Sequence, residues 1–160
     1  MTSSLKVFAF FLALSLWGCG EHSPPKKDQV KSQKKTEKSA KQSAGASVNL
    51  ESKGVGPIKH LPLAVDIDAS MATEGEALFK KMCTACHKVG KKFIGPDVTA
   101  VLKRRSPEWV MNMILNPAGM VQEDPVAKKL LMEFNGAPMA NQSLSEQEAR
   151  TILEYFRTLN

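Results

Sequence analysis

Two cysteines three residues apart, with a histidine directly after the second, constrain this chain more than any other stretch: Cys83-Thr84-Ala85-Cys86-His87. That spacing lets each thiol add to one vinyl group of a porphyrin and holds the histidine under the ring, where its nitrogen takes an axial position on the iron. A dithiol redox pair is a competing use, but it normally opens a helix beside a strand pattern, and none precedes Cys83. A zinc site needs further ligands, and the remaining histidines, His22 and His60, lie in spacer-like sequence. One covalent haem c is the favoured reading.

Composition changes sharply along the 160 residues. Residues 20–54 hold Lys, Ser, Gln and Ala with almost nothing large and apolar, whereas the aromatic residues that can build a core lie mostly beyond residue 71. The net charge of +6 follows the same division, because residues 71–160 carry 12 Lys+Arg against 10 Asp+Glu. The excess sits in the lysine-rich tail, which marks a solvated, disordered tether rather than a nucleic-acid surface, and no groove-reading motif accompanies it.

Ahead of the tether, Lys6 and the apolar run Val7–Trp17 form an export signal over residues 1–18, well short of the ~20 apolar residues a membrane span needs. Leu16-Trp17-Gly18-Cys19 resembles a bacterial lipobox, with Trp17 the departure from its pattern. The resemblance implies a lipid anchor on Cys19, a flexible tether over 19–54, and the outer membrane's periplasmic face, since Gly20 is not the acidic residue that retains lipoproteins at the inner membrane of enteric bacteria. A coil of that length spans roughly 30–35 Å on average. Within residues 55–70, Leu61, Leu63, Val65 and Ile67 alternate with Pro62, Ala64, Asp66 and Asp68, and Pro57 and Pro62 forbid a helix, the pattern of an extended arm laid on the domain or of a plain linker.

From Thr73 onward the signals are helical. Thr73 with Glu76 has the capping-box spacing, and Gly75, Leu78, Phe79 and Met82 share a face that leads into Cys83. Ser106-Pro107 starts a second helix that Asn116-Pro117 stops, Asp124-Pro125 starts a third, and Ser145 with Glu148 caps the last. Phe79, Phe93, Ile94, Val98, Leu102, Trp109, Leu115 and Phe134 are the expected packing around a porphyrin.

Residues 71–160 resemble a class I cytochrome c domain on Gly75 and Phe79 before Cys83, on Gly95-Pro96-Asp97 after His87, and on Ile152 and Tyr155 of the terminal helix. The resemblance implies an all-α fold of about four to five helices around the attached haem, with the Pro96 carbonyl accepting a hydrogen bond from His87. Among eight methionines, Met139 lies in Gly136-Ala137-Pro138-Met139, which resembles the family's methionine loop and makes it the second axial ligand ahead of Met120 or an open position. Met71, Met82, Met111, Met113 and Met132 sit in helical patterns as core filler. Arg104 and Arg105 are expected at the haem propionates, or at a solvated helix end, and Trp109 is expected to donate its indole N–H to a propionate.

His/Met ligation leaves no open iron position and raises the potential, so the expected function is one-electron transfer and not enzymatic turnover. Redox partners would be an oxidase, a reductase or a quinol-oxidising complex, steered by Lys80, Lys81, Lys88, Lys91 and Lys92. The alternative is a five-coordinate haem domain that senses or binds a small gas.

Overall fold

The computed structural model describes residue 45 and residues 47–159. Cys19, the signal segment and most of the lysine-rich tether lie outside the described residues. The described part contains α1 (Ala69–Met82), a three-residue 3-10 turn (Val101–Lys103), α2 (Pro107–Leu115), α3 (Pro117–Glu123), α4 (Pro125–Glu133) and α5 (Glu146–Thr158). Its β structure is limited to isolated bridges, Asn49 with Arg105 and Lys88 with Lys91. The all-α expectation holds, and no described helix is long and apolar enough to cross a membrane.

Helix α1 begins earlier than its sequence pattern suggests. Asp68, not Thr73, is the N-cap, accepting the Met71 N–H, while Thr73 donates to the Ala69 carbonyl within the helix. The cap is fixed from outside, because the Asp68 N–H donates to Glu154 of α5 at 2.8 Å. Ser106 and Ser145 cap α2 and α5 as expected, the latter with a complete capping box through Glu148. Pro117 ends α2 but opens α3, and Asn116 serves both helices, as C-cap of one and N-cap of the next. Met120 therefore lies in a helix and not in a loop after Pro117.

The α1–α5 crossing is the densest contact in the molecule. A Cβ on Gly75 would lie 1.9 Å from the Thr151 carbonyl oxygen, so only hydrogen fits between the two backbones. Phe79 packs against both Tyr155 and Phe156, each at 5.6 Å between ring centroids, the latter edge-on. Such ring pairs add about 0.5–1.5 kcal/mol beyond the area they bury.

Across the molecule, residues 47–68 contain no helix and cross α2 and α3 as a strap held by polar side chains. Buried Asn112 donates to the carbonyls of Lys53 (2.9 Å) and Ile58 (2.8 Å) and accepts the Ile58 N–H (2.9 Å). Asn116 donates to the Val55 carbonyl, and buried Glu108 accepts the Leu61 N–H while pairing with Lys53 at 2.9 Å. At the strap's far end Arg157 donates to the carbonyls of Ala64, Val65 and Asp66.

Of the residues expected to pack around a porphyrin, Phe79, Val98, Trp109 and Phe134 are buried and line the cavity, and Ile94 lines it although 50% exposed on the loop after His87, whereas Phe93 on the same loop is 48% exposed and does not line it. Met132 is 78% exposed on the outer face of α4 and is not core filler. Met120 is fully buried, and its sulfur accepts the Val55 N–H at 3.0 Å. That contact commits Met120 to the strap.

Candidate haem site

The sequence Cys83–His87 is a tight turn that continues the last turn of α1. Cys83 caps the helix by donating its N–H to Phe79, and its carbonyl then accepts from the N–H groups of both Cys86 (3.0 Å) and His87 (2.9 Å). Thr84 closes the turn with a hydroxyl bond to the Lys80 carbonyl. Both thiols and the imidazole are thereby set on the lining of a cavity.

The cavity has a volume of about 210 Å³ and is walled mainly by apolar side chains such as Phe79, Val98, Ile114, Leu130, Phe134 and Ile152. Cys83, Cys86 and His87 form one part of the lining and Pro138, Met139 and Ala140 another. Met82 and Met113 also reach it. Met120, in α3, does not line it, whereas Met139 does.

His87 Nδ1 lies 3.0 Å from the Pro96 carbonyl oxygen. A carbonyl can only accept, so Nδ1 carries the proton and Nε2 keeps the lone pair that iron requires. The ring is also clamped sterically: a Cβ on Gly95 would come within 2.6 Å of His87 Cε1 and 2.9 Å of Nδ1. The Gly95 N–H in turn donates to the Cys86 carbonyl at 2.8 Å, tying the loop to the cysteine turn. Gly95 is thus a site residue in its own right; its place beside Pro96 was visible in the sequence, its contact with the ring was not.

Asp97 organises the same loop by accepting N–H bonds from Gly90 (3.0 Å) and Thr99 (2.8 Å). Burial acts to raise its pKa, but the Thr99 and Gly90 hydrogen bonds and the Arg104 charge outweigh it and hold the carboxyl below its ordinary value. The Cys83 thiol moves the other way, pushed up to about 11 by burial first and by neighbouring Cys86 second. It therefore stays a neutral thiol at physiological pH in the haem-free chain.

Arg104, Arg105 and Trp109 all line the cavity, but their polar groups already have protein partners. Arg104 donates to the carbonyls of Thr99 (2.7 Å), Ala100 (3.3 Å) and Asp97 (2.9 Å). Arg105 is buried, donates to the carbonyls of Ser47 and Arg104, and sits over the Trp109 ring with its guanidinium carbon 5.3 Å from the centroid. The indole N–H of Trp109, expected at a propionate, donates to Asp124 Oδ1 at 3.1 Å. Asp124 was not singled out from the sequence because its helix-capping role, which the structure retains, already accounted for it.

The donor set fits a covalently attached haem: two thiols on one turn, an imidazole with a fixed tautomer, a thioether on the wall and an apolar interior between them. A family model for cytochrome c matches residues 72–160. The chain belongs to the cytochrome c family. Cytochrome c from Rhodothermus marinus is 49% identical over 65% of this chain and 89% of its own, with a TM-score of 0.63. An engineered form of that cytochrome c bound to a carbene intermediate is likewise 49% identical over 65% of this chain and 89% of its own, with a TM-score of 0.61. No curated protein matches the chain. Cytochrome c domains hold haem c covalently and serve in electron transfer, and here Cys83 and Cys86 supply the thiols.

Proposed function

We propose that this cytochrome c is an exported electron carrier with His87 and Met139 as axial ligands, anchored through a lipid on Cys19 and tethered by the residues before the strap. The strap takes up the end of the expected 19–54 tether, where Ser52 and Lys53 are bonded to the domain, together with most of the 55–70 arm. The observation that supports the ligation is that one cavity is lined both by His87, whose Nδ1 is held by Pro96, and by Met139. When bound, the haem supplies a one-electron iron couple, and thioether ligation favours the ferrous state. His87 presents Nε2, Pro96 fixes its tautomer, Gly95 fixes its ring plane, and the apolar walls exclude water.

The proposed partners are an oxidase, a reductase or a quinol-oxidising complex with an acidic face. Supporting this, Val89, Phe93 and Ile94 expose apolar surface on the loop after His87, beside Lys88, Lys91 and Lys92. An apolar centre with a cationic rim suits a transient encounter that is steered by charge. The lipobox resemblance and the family's usual export support the periplasmic side of a membrane, the outer membrane first.

Optical spectra of the haem-loaded protein, ferric and ferrous, with and without carbon monoxide, test the ligation. A low-spin spectrum with a ferric iron–thioether band, unmoved by carbon monoxide and lost in Met139→Ala, is expected. A high-spin spectrum that shifts with carbon monoxide would replace the carrier with an open-iron, gas-binding domain. Metabolic labelling with a radioactive fatty acid, expected to mark the wild type and not Cys19→Ser, tests the anchor.

A further inference from the structure

Asp124 has two assignments already, as N-cap of α4 through the Ala127 N–H at 2.8 Å and as acceptor for the Trp109 indole. It also has a third: its other oxygen accepts the Ser52 hydroxyl of the strap at 3.0 Å. The residue is only 4% exposed, and three donors converge on its two oxygens. A carboxylate only accepts, and all three of these partners donate. The same Ser52 hydroxyl accepts the Gly54 N–H and the Ser52 carbonyl accepts from Ser106, so the strap is rigid where it meets the carboxylate. Trp109, the next group inward, lines the haem cavity, and Arg105 stands over its ring as a buried cation.

We propose that the strap-held carboxylate of Asp124, acting across Trp109, sets the reduction potential of the haem by holding a buried negative charge beside the cavity. The proposal rests on the chain being a haem-carrying electron carrier and adds a residue that neither touches iron nor lines the cavity. A buried anion stabilises the more positive ferric state, because charge interactions are only weakly screened there. Arg105, of opposite sign and on the same ring, acts in the opposite direction. Desolvation is what makes both charges count, and the strap supplies it on the outer side.

Asp124→Asn is a clean probe. Asparagine is nearly isosteric and an equally good N-cap, its oxygen can keep the Trp109 and Ala127 donors, and its amide can face Ser52. Charge is the principal change. In spectroelectrochemical titration of the haem-loaded protein, Asp124→Asn is expected to raise the ferrous-to-ferric ratio severalfold at a fixed ambient potential. Asp124→Glu, which restores the charge, should return it towards wild type, and Arg105→Gln should lower it. Local damage would move both substitutions in one direction, so the opposite signs separate charge from packing. Retention of the wild-type optical spectrum in each variant establishes that ligation is intact. Should Asn at 124 prevent haem loading, Trp109→Phe carries the test: it withdraws the indole donor from a carboxylate that stays charged, and the ferrous share should fall. An unchanged ratio in Asp124→Asn, or in Trp109→Phe where that variant is used, or shifts of the same sign at 124 and 105, would overturn the proposal. An open-iron spectrum in the wild type would instead overturn His/Met ligation and leave the charge comparison measurable.

Discussion

The two sides of this cytochrome c are held together by different physics. At the α1–α5 crossing, shape dominates: Gly75 lets two backbones touch, and Phe79 fills the space against Tyr155 and Phe156. On the strap side, buried Asn112, Glu108 and Asp124 reach out to an irregular segment and satisfy its backbone or side-chain polar groups. Helices satisfy their own peptide groups and need only a complementary surface. An extended segment brings unpaired peptide groups with it, and a domain can bury these only by supplying partners.

The crossing should be the more brittle side. Gly75→Val would place a branched side chain where even one Cβ meets the Thr151 carbonyl, and the expected outcome is a loss of about 4 kcal/mol or more, or no folded protein at all. Haem-loaded yield and thermal melting measure it; a melting temperature within a degree or two of wild type would mean that the helices can separate freely.

The strap should fail by degrees. Asn112→Ala leaves the Ile58 N–H and two carbonyls without their partner, a cost of roughly 2–4 kcal/mol in denaturant unfolding. Because Asn112 does not line the cavity, the optical spectrum should stay as in wild type. A changed spectrum would mean that the strap's grip on α2 is felt at the axial ligands.

Acid should weaken both sides together. Burial acts to raise the Glu154 pKa, but the Asp68 N–H, Arg150 and Arg157 outweigh it; for Glu108 the same contest is won by Lys53 and the Leu61 N–H. Both carboxyls are thus held below the ordinary glutamate value of 4.5. The sign follows by linkage: their stabilisation is complete above that value and is lost as pH falls through the lower folded-state values. Wild-type stability should therefore drop below about pH 4.5, and Glu108→Gln should flatten part of that slope. A slope equal to wild type would remove Glu108 from the account.

The smallest effect belongs to the end of α5. Ser145→Ala breaks the capping box with Glu148 and should cost about 1 kcal/mol, read as a lower melting temperature with an unchanged spectrum.

These two sides were also unequally legible. Gly75, Phe79 and the α5 aromatics carry a helical period, and the Ser106 and Ser145 caps are local signals, so this part of the fold could be read along the chain. The strap has no period beyond a short alternation, and nothing in Asn112 or Met120 announces a partner some sixty residues earlier. Thr73–Glu76 had the spacing of a capping box, yet Asp68 takes the cap because Glu154, far along the chain, holds its N–H.

By itself the sequence determined the chemistry and the class: Cys83, Cys86 and His87 are neighbours, and a haem-attachment turn needs only neighbours. The α-helical class likewise follows from local periods and caps. Only the tertiary structure separated Met120 from Met139 by position, burying the Met120 sulfur against Val55 away from the cavity and placing Met139 on its lining. It alone joined Asp124 to Trp109 and Ser52. The reason is the same in each case: which polar group meets which is settled by long-range packing and by the need to satisfy buried donors, and neither leaves a fixed spacing in the chain.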